Sequence, residues 1–148
     1  MFESCRAKQE AVKKLFSSAA TSEEKYQVLM DLGKRQVPLA PEDKTENSRV
    51  HGCQSITYLK ATLDNGKSYF QTESDALISA GLGQILTMVY SDEIPEVVLK
   101  CPPAYLNELG IHASLSPGRA NGLASIFTKI QQEALKHYLR LYRKEEMP

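Results

Sequence analysis

The sequence predicts an α+β fold in which a small antiparallel β-sheet of two to three strands is flanked by helices. Apolar residues recur at three- and four-residue spacing near both ends of the chain, which is typical of amphipathic helices. Between them, two strand-like segments are separated by Asp64-Asn65-Gly66, a strong hairpin signal because Asn-Gly accepts the positive φ of tight turns. At 148 residues, the chain is expected to form a single domain over residues 1–148.

The composition disfavours two functional classes. The formal net charge is zero, whereas a dedicated nucleic-acid binder needs a clear cationic surplus. No apolar run approaches the length that spans a bilayer, so no membrane association is expected. The first residues lack the basic-then-apolar order of a signal peptide, which makes the cytoplasm the expected compartment.

Two helices are predicted before the sheet. The first is expected over residues 2–17, where the apolar positions share one face and lysines lie outside. The second is expected over residues 21–32. Thr21 is its predicted N-cap, Glu24 completes a capping box, and Gly33 is placed to end the helix.

The sheet is predicted from β-branched and aromatic residues on both sides of the hairpin turn. Its two strands are expected over residues 54–63 and 67–72. A third strand between residues 34 and 51 is left open, because that polar, proline-containing segment has no clear alternation.

Helices are predicted again after the sheet. The first, over residues 74–90, is apolar on most sides, so we expect it to lie centrally on the sheet. Its Gly81 and Gly83 are expected to allow close approach of another element. The others are expected over residues 96–99, 104–109 and 117–144, the last of them capped by Ser116 before Pro117.

Three cysteines occur, at positions 5, 53 and 101. An odd count without a secretion signal disfavours a disulfide framework, and no pair has the close spacing of a zinc site, so no metal is expected. Cys5 lies on a helical apolar stripe, and Cys101 precedes two prolines. We therefore expect Cys5 to be a buried apolar residue and Cys101 to be in extended chain.

Cys53 has a different context, in the stretch Asn47-Ser48-Arg49-Val50-His51-Gly52-Cys53-Gln54-Ser55. A cysteine after a glycine, at the end of a polar loop, is a candidate reactive thiol, and the alternative is a structural thiol at a loop–strand junction. In extended chain His51 would share a face with Cys53 and could relay a proton, although a loop histidine is commonly just solvated. We expect the thiol to be partly sheltered, with Val50 and Ile56 packing the loop down.

Arg119 lies in the predicted first turn of the last helix, where its charge opposes the helix dipole. This position predicts that Arg119 pairs with a carboxylate. The carboxylate is either within the chain, as a structural ion pair, or on a partner protein.

The motif Asn-x-x-Val-x-Gly-Cys-Gln-Ser of residues 47–55 resembles the active-cysteine motif of the SufE family, the sulfur acceptors of iron–sulfur cluster assembly. Other segments resemble family motifs in the same order, and they are Glu24-Lys25-Tyr26, Ser74-Asp75-Ala76 and Leu115-Ser116-Pro117 with Arg119, Gly122 and Leu123. The chain departs from the family at Tyr58, where many members have tryptophan, and His51 fills a position that is not fixed.

The resemblance implies a SufE- and IscU-like fold and a function. A pyridoxal-phosphate cysteine desulfurase, SufS-like, would pass persulfide sulfur to Cys53 and be stimulated, and a SufBCD-like iron–sulfur scaffold complex would receive the sulfur. It implies no cofactor or metal of the chain's own, and no stand-alone turnover. His51, Gly52, Gln54 and Arg119 are the expected supporting residues, and a homodimer is left open.

Two alternatives remain at this point. The chain could be an iron–sulfur cluster scaffold, which would need its three cysteines drawn together. It could also be a regulatory module that activates a desulfurase without carrying sulfur. A Cys53→Ser variant separates this last alternative from a carrier, because a pure activator would still work.

Overall fold

The computed structural model describes residues 1–146, and its elements confirm the predicted α+β class. In chain order they are α1 (Glu3–Leu15), α2 (Ser22–Gly33), a 3-10 turn (Pro41–Asp43), β1 (Thr57–Asp64), β2 (Lys67–Ser74), α3 (Leu77–Tyr90), α4 (Pro95–Lys100), α5 (Ala104–Glu108), α6 (Ile111–Ser114) and α7 (Pro117–Glu146). No helix within this part of the chain combines the length and the apolar character needed to cross a bilayer.

The two strands form an antiparallel hairpin around the predicted turn. Asn65 and Gly66 have φ values of 49° and 78°, as a two-residue turn of primed type requires, and Asp64 pairs with Lys67. The open question of a third strand resolves into one isolated bridge, between Arg49 and Tyr58, so the described sheet has two strands.

The central position predicted for α3 is confirmed. This helix packs against α1, α2, α7 and β2, and Ile85, Leu86 and Val89 are fully buried. Burying such a side chain contributes about 1.5–3 kcal/mol, so this helix holds the core together. The phenol of Tyr105 also donates to the carbonyl of Ile85 at 2.7 Å, which satisfies a buried polar group.

The predicted cap of α2 and its predicted end at Gly33 are confirmed, and Gly33 has a second role that was not predicted. The Thr21 hydroxyl accepts from the Glu24 amide at 3.1 Å, as expected of an N-cap. Gly33 is the last residue of the helix, and a Cβ there would lie 2.3 Å from the carbonyl oxygen of Leu77. Gly81 makes the matching approach from α3, since its Cβ would lie 2.0 Å from the carbonyl oxygen of Leu29. Gly33 therefore also permits close contact between α2 and α3.

Two predicted boundaries are wrong for tertiary reasons. The first strand begins at Thr57 rather than at residue 54, and α3 begins at Leu77 rather than at residue 74. Ser74 remains in the ladder opposite Thr57, so the helix starts only after the strand has ended. The short helix α6 was not predicted.

The long helix α7 lies where the sequence placed it, but its buried stripe includes an unpredicted histidine. His137 is 5% exposed, and its Nδ1 lies 2.7 Å from the Oγ of buried Ser68. Burial lowers the pKa of His137 below its usual value. A neutral imidazole therefore joins α7 to the hairpin.

Candidate functional site

The loop that carries Cys53 is anchored to the edge of β1 before it turns. The Val50 amide donates to the Thr57 carbonyl at 2.8 Å, and the Leu59 amide donates to the Ser48 carbonyl at 2.8 Å. Val50 itself is 2% exposed and belongs to the core. The start of the loop is thus fixed to the sheet, as the expected packing of Val50 requires.

The tip of the loop needs glycine at position 52. Gly52 has a φ of 94°, which L-residues rarely adopt. A Cβ at this position would lie 2.4 Å from the Oγ of Ser125 on α7. Both the backbone angle and the space therefore select glycine.

Three successive loop residues lie along α7 in the direction opposite to the helix. The side chain of Gln54 lies so close to Gly118 that a Cβ added at Gly118 would be 2.0 Å from the Gln54 Nε2. The Cys53 sulfur would be 3.6 Å from a Cβ at Gly122, and Gly52 lies against Ser125. These small residues recur every three to four positions, so they share one face of the helix and form the surface that the cysteine loop occupies.

The Cys53 thiol is half-buried and lies against the helix backbone. Its Sγ is 3.8 Å from the Gly122 carbonyl oxygen, to which the thiol donates. Burial raises the pKa of Cys53, while a hydrogen bond with Thr57 and the positive charge of Arg49 lower it in part. The structure thus shows the expected partial shelter, with a neutral thiol as the main form near pH 7. The expected contribution of Ile56 is wrong, because that side chain is 47% exposed.

A triangle of hydroxyl groups lies next to the thiol and was not predicted. Ser55, Thr57 and Ser74 are joined by contacts of 3.0–3.1 Å between their side-chain oxygens. Thr57 is fully buried, and hydrogen bonding by its hydroxyl lowers the pKa of Cys53. Ser55 and Thr57 are two residues apart at the start of the strand, and this spacing could have predicted that their hydroxyls share one face.

His51 does not take the position that a proton relay to Cys53 would need in this conformation. Its imidazole is 70% exposed, and its Nε2 lies 2.9 Å from Oε1 of Glu46. The effects on the Cys53 pKa come from burial, Thr57 and Arg49 instead. A chemical role for His51 stays a prediction that needs the loop to rearrange.

Arg119 was expected to pair with a carboxylate either of this chain or of a partner protein. The prediction of an ion pair within the chain is wrong. Its guanidinium lies over the ring of Tyr26, 5.9 Å from the centroid, and has no carboxylate partner among the described residues. Arg119 also lines a surface cavity of about 340 Å³ with Gln54, Ser55 and Asp75. The version in which the carboxylate belongs to a partner protein remains open.

The other two cysteines are brought together away from solvent. Cys5 and Cys101 are 0% and 2% exposed, and both sulfurs lie 3.7 Å from Nε2 of Gln9. Burial and the neighbouring Cys101 thiol raise the pKa of Cys5 to about 12. Burial keeps both thiols away from solvent and from reaction partners. The predicted burial of Cys5 and the predicted extended backbone of Cys101 are confirmed.

No group of three or more histidine, cysteine, aspartate or glutamate side chains within residues 1–146 is arranged to hold a metal ion. Cys5 and Cys101 form one site with Gln9, whereas Cys53 lies on the loop against Gly122. The described part of the chain does not assemble the three-cysteine set that a cluster scaffold requires.

Comparison with known proteins agrees with the motifs. A SufE family domain, described as an Fe-S metabolism associated domain, matches residues 10–134. The sulfur acceptor protein CsdE of Escherichia coli is 33% identical over 119 residues, covering 79% of this chain and 81% of that protein. The cysteine desulfuration protein SufE of Wigglesworthia glossinidia brevipalpis is 30% identical over 123 residues, covering 82% and 85%.

The fold has a solved relative as well. The solution structure of a hypothetical protein from Thermus thermophilus superposes with a TM-score of 0.72 at 25% identity, covering 89% of this chain and 96% of that one. Motifs, family domain, relatives and fold all agree. The chain belongs to the SufE family.

Proposed function

We propose that this protein is a sulfur acceptor in iron–sulfur metabolism and that Cys53 is the thiol that receives the sulfur. The observation that carries the proposal is the contrast among the three cysteines. Cys5 and Cys101 are buried, while Cys53 is half-buried and directly follows the positive-φ glycine of its loop. The names of the two relatives, a sulfur acceptor and a cysteine desulfuration protein, support the same function.

The chemistry follows thiol–disulfide exchange. The Cys53 thiolate attacks the outer sulfur of a persulfide on a cysteine desulfurase, a bond forms between the two sulfurs, and the partner's cysteine leaves as a thiolate. The product is a Cys53 persulfide. The donor supplies both the sulfur and its own pyridoxal phosphate, so the acceptor requires neither a metal nor a cofactor of its own. Delivery to an iron–sulfur scaffold is the reverse exchange with a new thiol.

The sheltered thiol has a consequence for regulation. At rest Cys53 is mainly protonated and donates to Gly122, so it reacts slowly with oxidants in bulk solvent. Transfer requires the loop to move away from α7 and present Cys53 to the partner. Stimulation of the desulfurase then follows from removal of its product sulfur.

The intermediate can be measured directly. The protein is incubated with desulfurase and L-cysteine without reductant, and intact mass is recorded before and after dithiothreitol. We expect a gain of one sulfur atom that dithiothreitol removes and that peptide mapping places on Cys53. Cys53→Ser should not gain sulfur, while the matched Cys101→Ser variant should behave like the wild type.

Two outcomes would contradict the proposal. Faster desulfurase turnover without any mass gain, retained by Cys53→Ser, would identify a regulatory activator. A reductant-sensitive gain on Cys5 or Cys101 alone would mean that Cys53 is not the acceptor.

A further inference from the structure

Arg49 is an unusual cation because a buried part of its guanidinium has no partner. Its Nε is inaccessible to solvent and makes no hydrogen bond within the described chain. Leaving a buried donor unsatisfied is unfavourable, and more so when the group is charged. In the resting conformation the Nε of this guanidinium therefore lacks an acceptor.

The backbone at Arg49 is fixed close to the cysteine. Arg49 is bridged to Tyr58, and the hydrogen bonds of Ser48 and Val50 with β1 lie on either side of it. Only three residues separate it from Cys53, and Gly52 turns the chain between them. The Arg49 side chain therefore starts from a fixed point close to the cysteine.

A surface cavity of about 330 Å³ opens between this part of the loop and α7. Besides Val50 and Ala124, its lining consists of side chains that carry positive charge or hydrogen-bonding groups, and they are Arg49, His51, Ser125, Thr128, Lys129 and Gln132. None of the described carboxylates lines it, and the carboxylate nearby, that of Glu46, pairs with His51. No carboxylate of the cavity lining therefore opposes the charge of Arg49.

The other charged groups around the loop already have partners. Lys129 donates to the Asn47 carbonyl at 2.8 Å, and His51 pairs with Glu46. Arg119 lies over Tyr26, and the Asp75 carboxylate accepts from the Ile56 amide at 2.9 Å. Among these groups, Arg49 is the cation whose nitrogen still needs an acceptor.

The Gly122 carbonyl, to which the Cys53 thiol donates, cannot stabilise the reactive form of the sulfur. Once the proton has left, the sulfur and this carbonyl oxygen are two electron-rich atoms that face each other. Stabilisation of the thiolate then comes from the hydrogen bond with Thr57 and from the positive charge of Arg49, both of which lower the pKa of Cys53 against the effect of burial. Of these two groups, Arg49 is the one that carries a charge.

We propose that Arg49 is a positioning residue that stabilises negative charge on the Cys53 sulfur, first on the thiolate and then on the terminal sulfur of the persulfide. The inference rests on the proposed function and adds a residue to it. In the transfer, the thiolate gains the outer sulfur and its hydrogen, and the donor cysteine leaves with the electron pair. The terminal sulfur then loses its proton to solvent. Arg49 therefore faces an anion both before the transfer, the Cys53 thiolate, and after it, the deprotonated persulfide.

The isolated protein provides the test, without a desulfurase. The rate of Cys53 alkylation by iodoacetamide is measured against pH for the wild type, Arg49→Gln, Arg49→Lys and Lys100→Gln. Lys100→Gln is the matched control, because it also removes one positive charge, but from an exposed ion pair with Glu96 on α4. Urea unfolding of each variant shows whether the fold is intact, and Arg49→Lys keeps the test open if Arg49→Gln does not fold.

We expect the apparent thiol pKa of Arg49→Gln to exceed that of the wild type by about half a unit, the size of a unit charge acting through partly screened solvent. Arg49→Lys should lie closer to the wild type, and Lys100→Gln should match it. At a pH below the thiol pKa, sulfur loading of Arg49→Gln should be about threefold slower, and the difference should vanish at high pH.

The outcomes separate this inference from the proposed function. Equal profiles for Arg49→Gln and the wild type, or equal shifts for Arg49→Gln and Lys100→Gln, would overturn the inference even if sulfur is loaded normally. A wild type that accepts no sulfur would overturn the proposed function, while the alkylation profiles would still decide whether Arg49 stabilises the thiolate.

Discussion

Replacing Gly52 by alanine should release the cysteine loop from α7. A residue with a Cβ is strained at a φ of 94°, by about 1–2 kcal/mol. The new Cβ would also start 2.4 Å from the Ser125 Oγ, and real Cβ atoms essentially never come closer than 3.0 Å, so one of them must move by about 0.6 Å. Rotating the serine off its rotamer costs roughly 0.5–1.5 kcal/mol. Together the two effects destabilise the closed loop by about 1.5–3.5 kcal/mol.

This loss should appear as faster Cys53 alkylation. If loop opening relieves the strain, 2 kcal/mol raises the open population about 30-fold, and the iodoacetamide rate should rise with it. The Gly52→Ala/Ser125→Ala double variant should recover the steric part but keep the backbone strain. Gly66→Ala is the matched control, since Gly66 also has a positive φ, of 78°, but has nothing within 4 Å of a Cβ. An alkylation rate of Gly52→Ala equal to that of the wild type would refute the geometry argued for the loop.

Two further outcomes follow from buried groups. Because burial lowers the pKa of His137 in the fold, the unfolded chain binds more protons than the folded one. The contribution of His137 to stability is therefore complete above about pH 6.5 and falls as the pH drops below it. The midpoints of urea unfolding at pH 7.5 and 5.5 should differ less in His137→Gln than in the wild type. Cys5→Ser and Cys101→Ser each place a hydroxyl in an apolar site beside Gln9 and should lose about 1–2 kcal/mol in urea unfolding while still accepting sulfur. A loss of sulfur acceptance by either folded variant would contradict the single-thiol mechanism.

The features that were predictable from sequence depend on local interactions. The hairpin turn follows from the conformational freedom of Asn65 and Gly66, and the cap of α2 follows from Thr21 and Glu24, which are three residues apart. For Cys53, the loop context left a reactive and a structural thiol open, and the resemblance of residues 47–55 to the SufE motif favoured the reactive one, which stays a prediction. In each case the deciding contacts, or their absence, lie within a few residues.

The features that were missed depend on contacts between distant residues. Cys5 and Cys101 are far apart in sequence, and nothing in either segment indicates that one glutamine contacts both sulfurs. A carboxylate partner was predicted for Arg119 because a positive charge is unfavourable in the first turn of its helix. Its actual neighbour, the aromatic ring of Tyr26, belongs to the distant helix α2. The small residues at Gly118, Gly122 and Ser125 could have been found as a helical stripe, but only the fold shows that the cysteine loop covers it.

The covering of the cysteine loop by α7 also determines the order in which the site can be completed during synthesis. Cys53 and Gly122 are 69 residues apart, so the thiol is made well before the helix that shelters it. At 5–20 residues per second, the ribosome needs about 3–14 s to cover that distance. During this interval the hairpin next to the thiol can already form, because its contacts are local.

In a chain truncated before α7, the Cys53 thiol would not be covered by that helix. Cys53 would then lack both the Gly122 carbonyl and the burial that raises the pKa. Such a fragment would be the form most exposed to mixed disulfides and to indiscriminate sulfur uptake. The Cys53 thiol therefore becomes covered only after α7 has been synthesised and has packed against the cysteine loop.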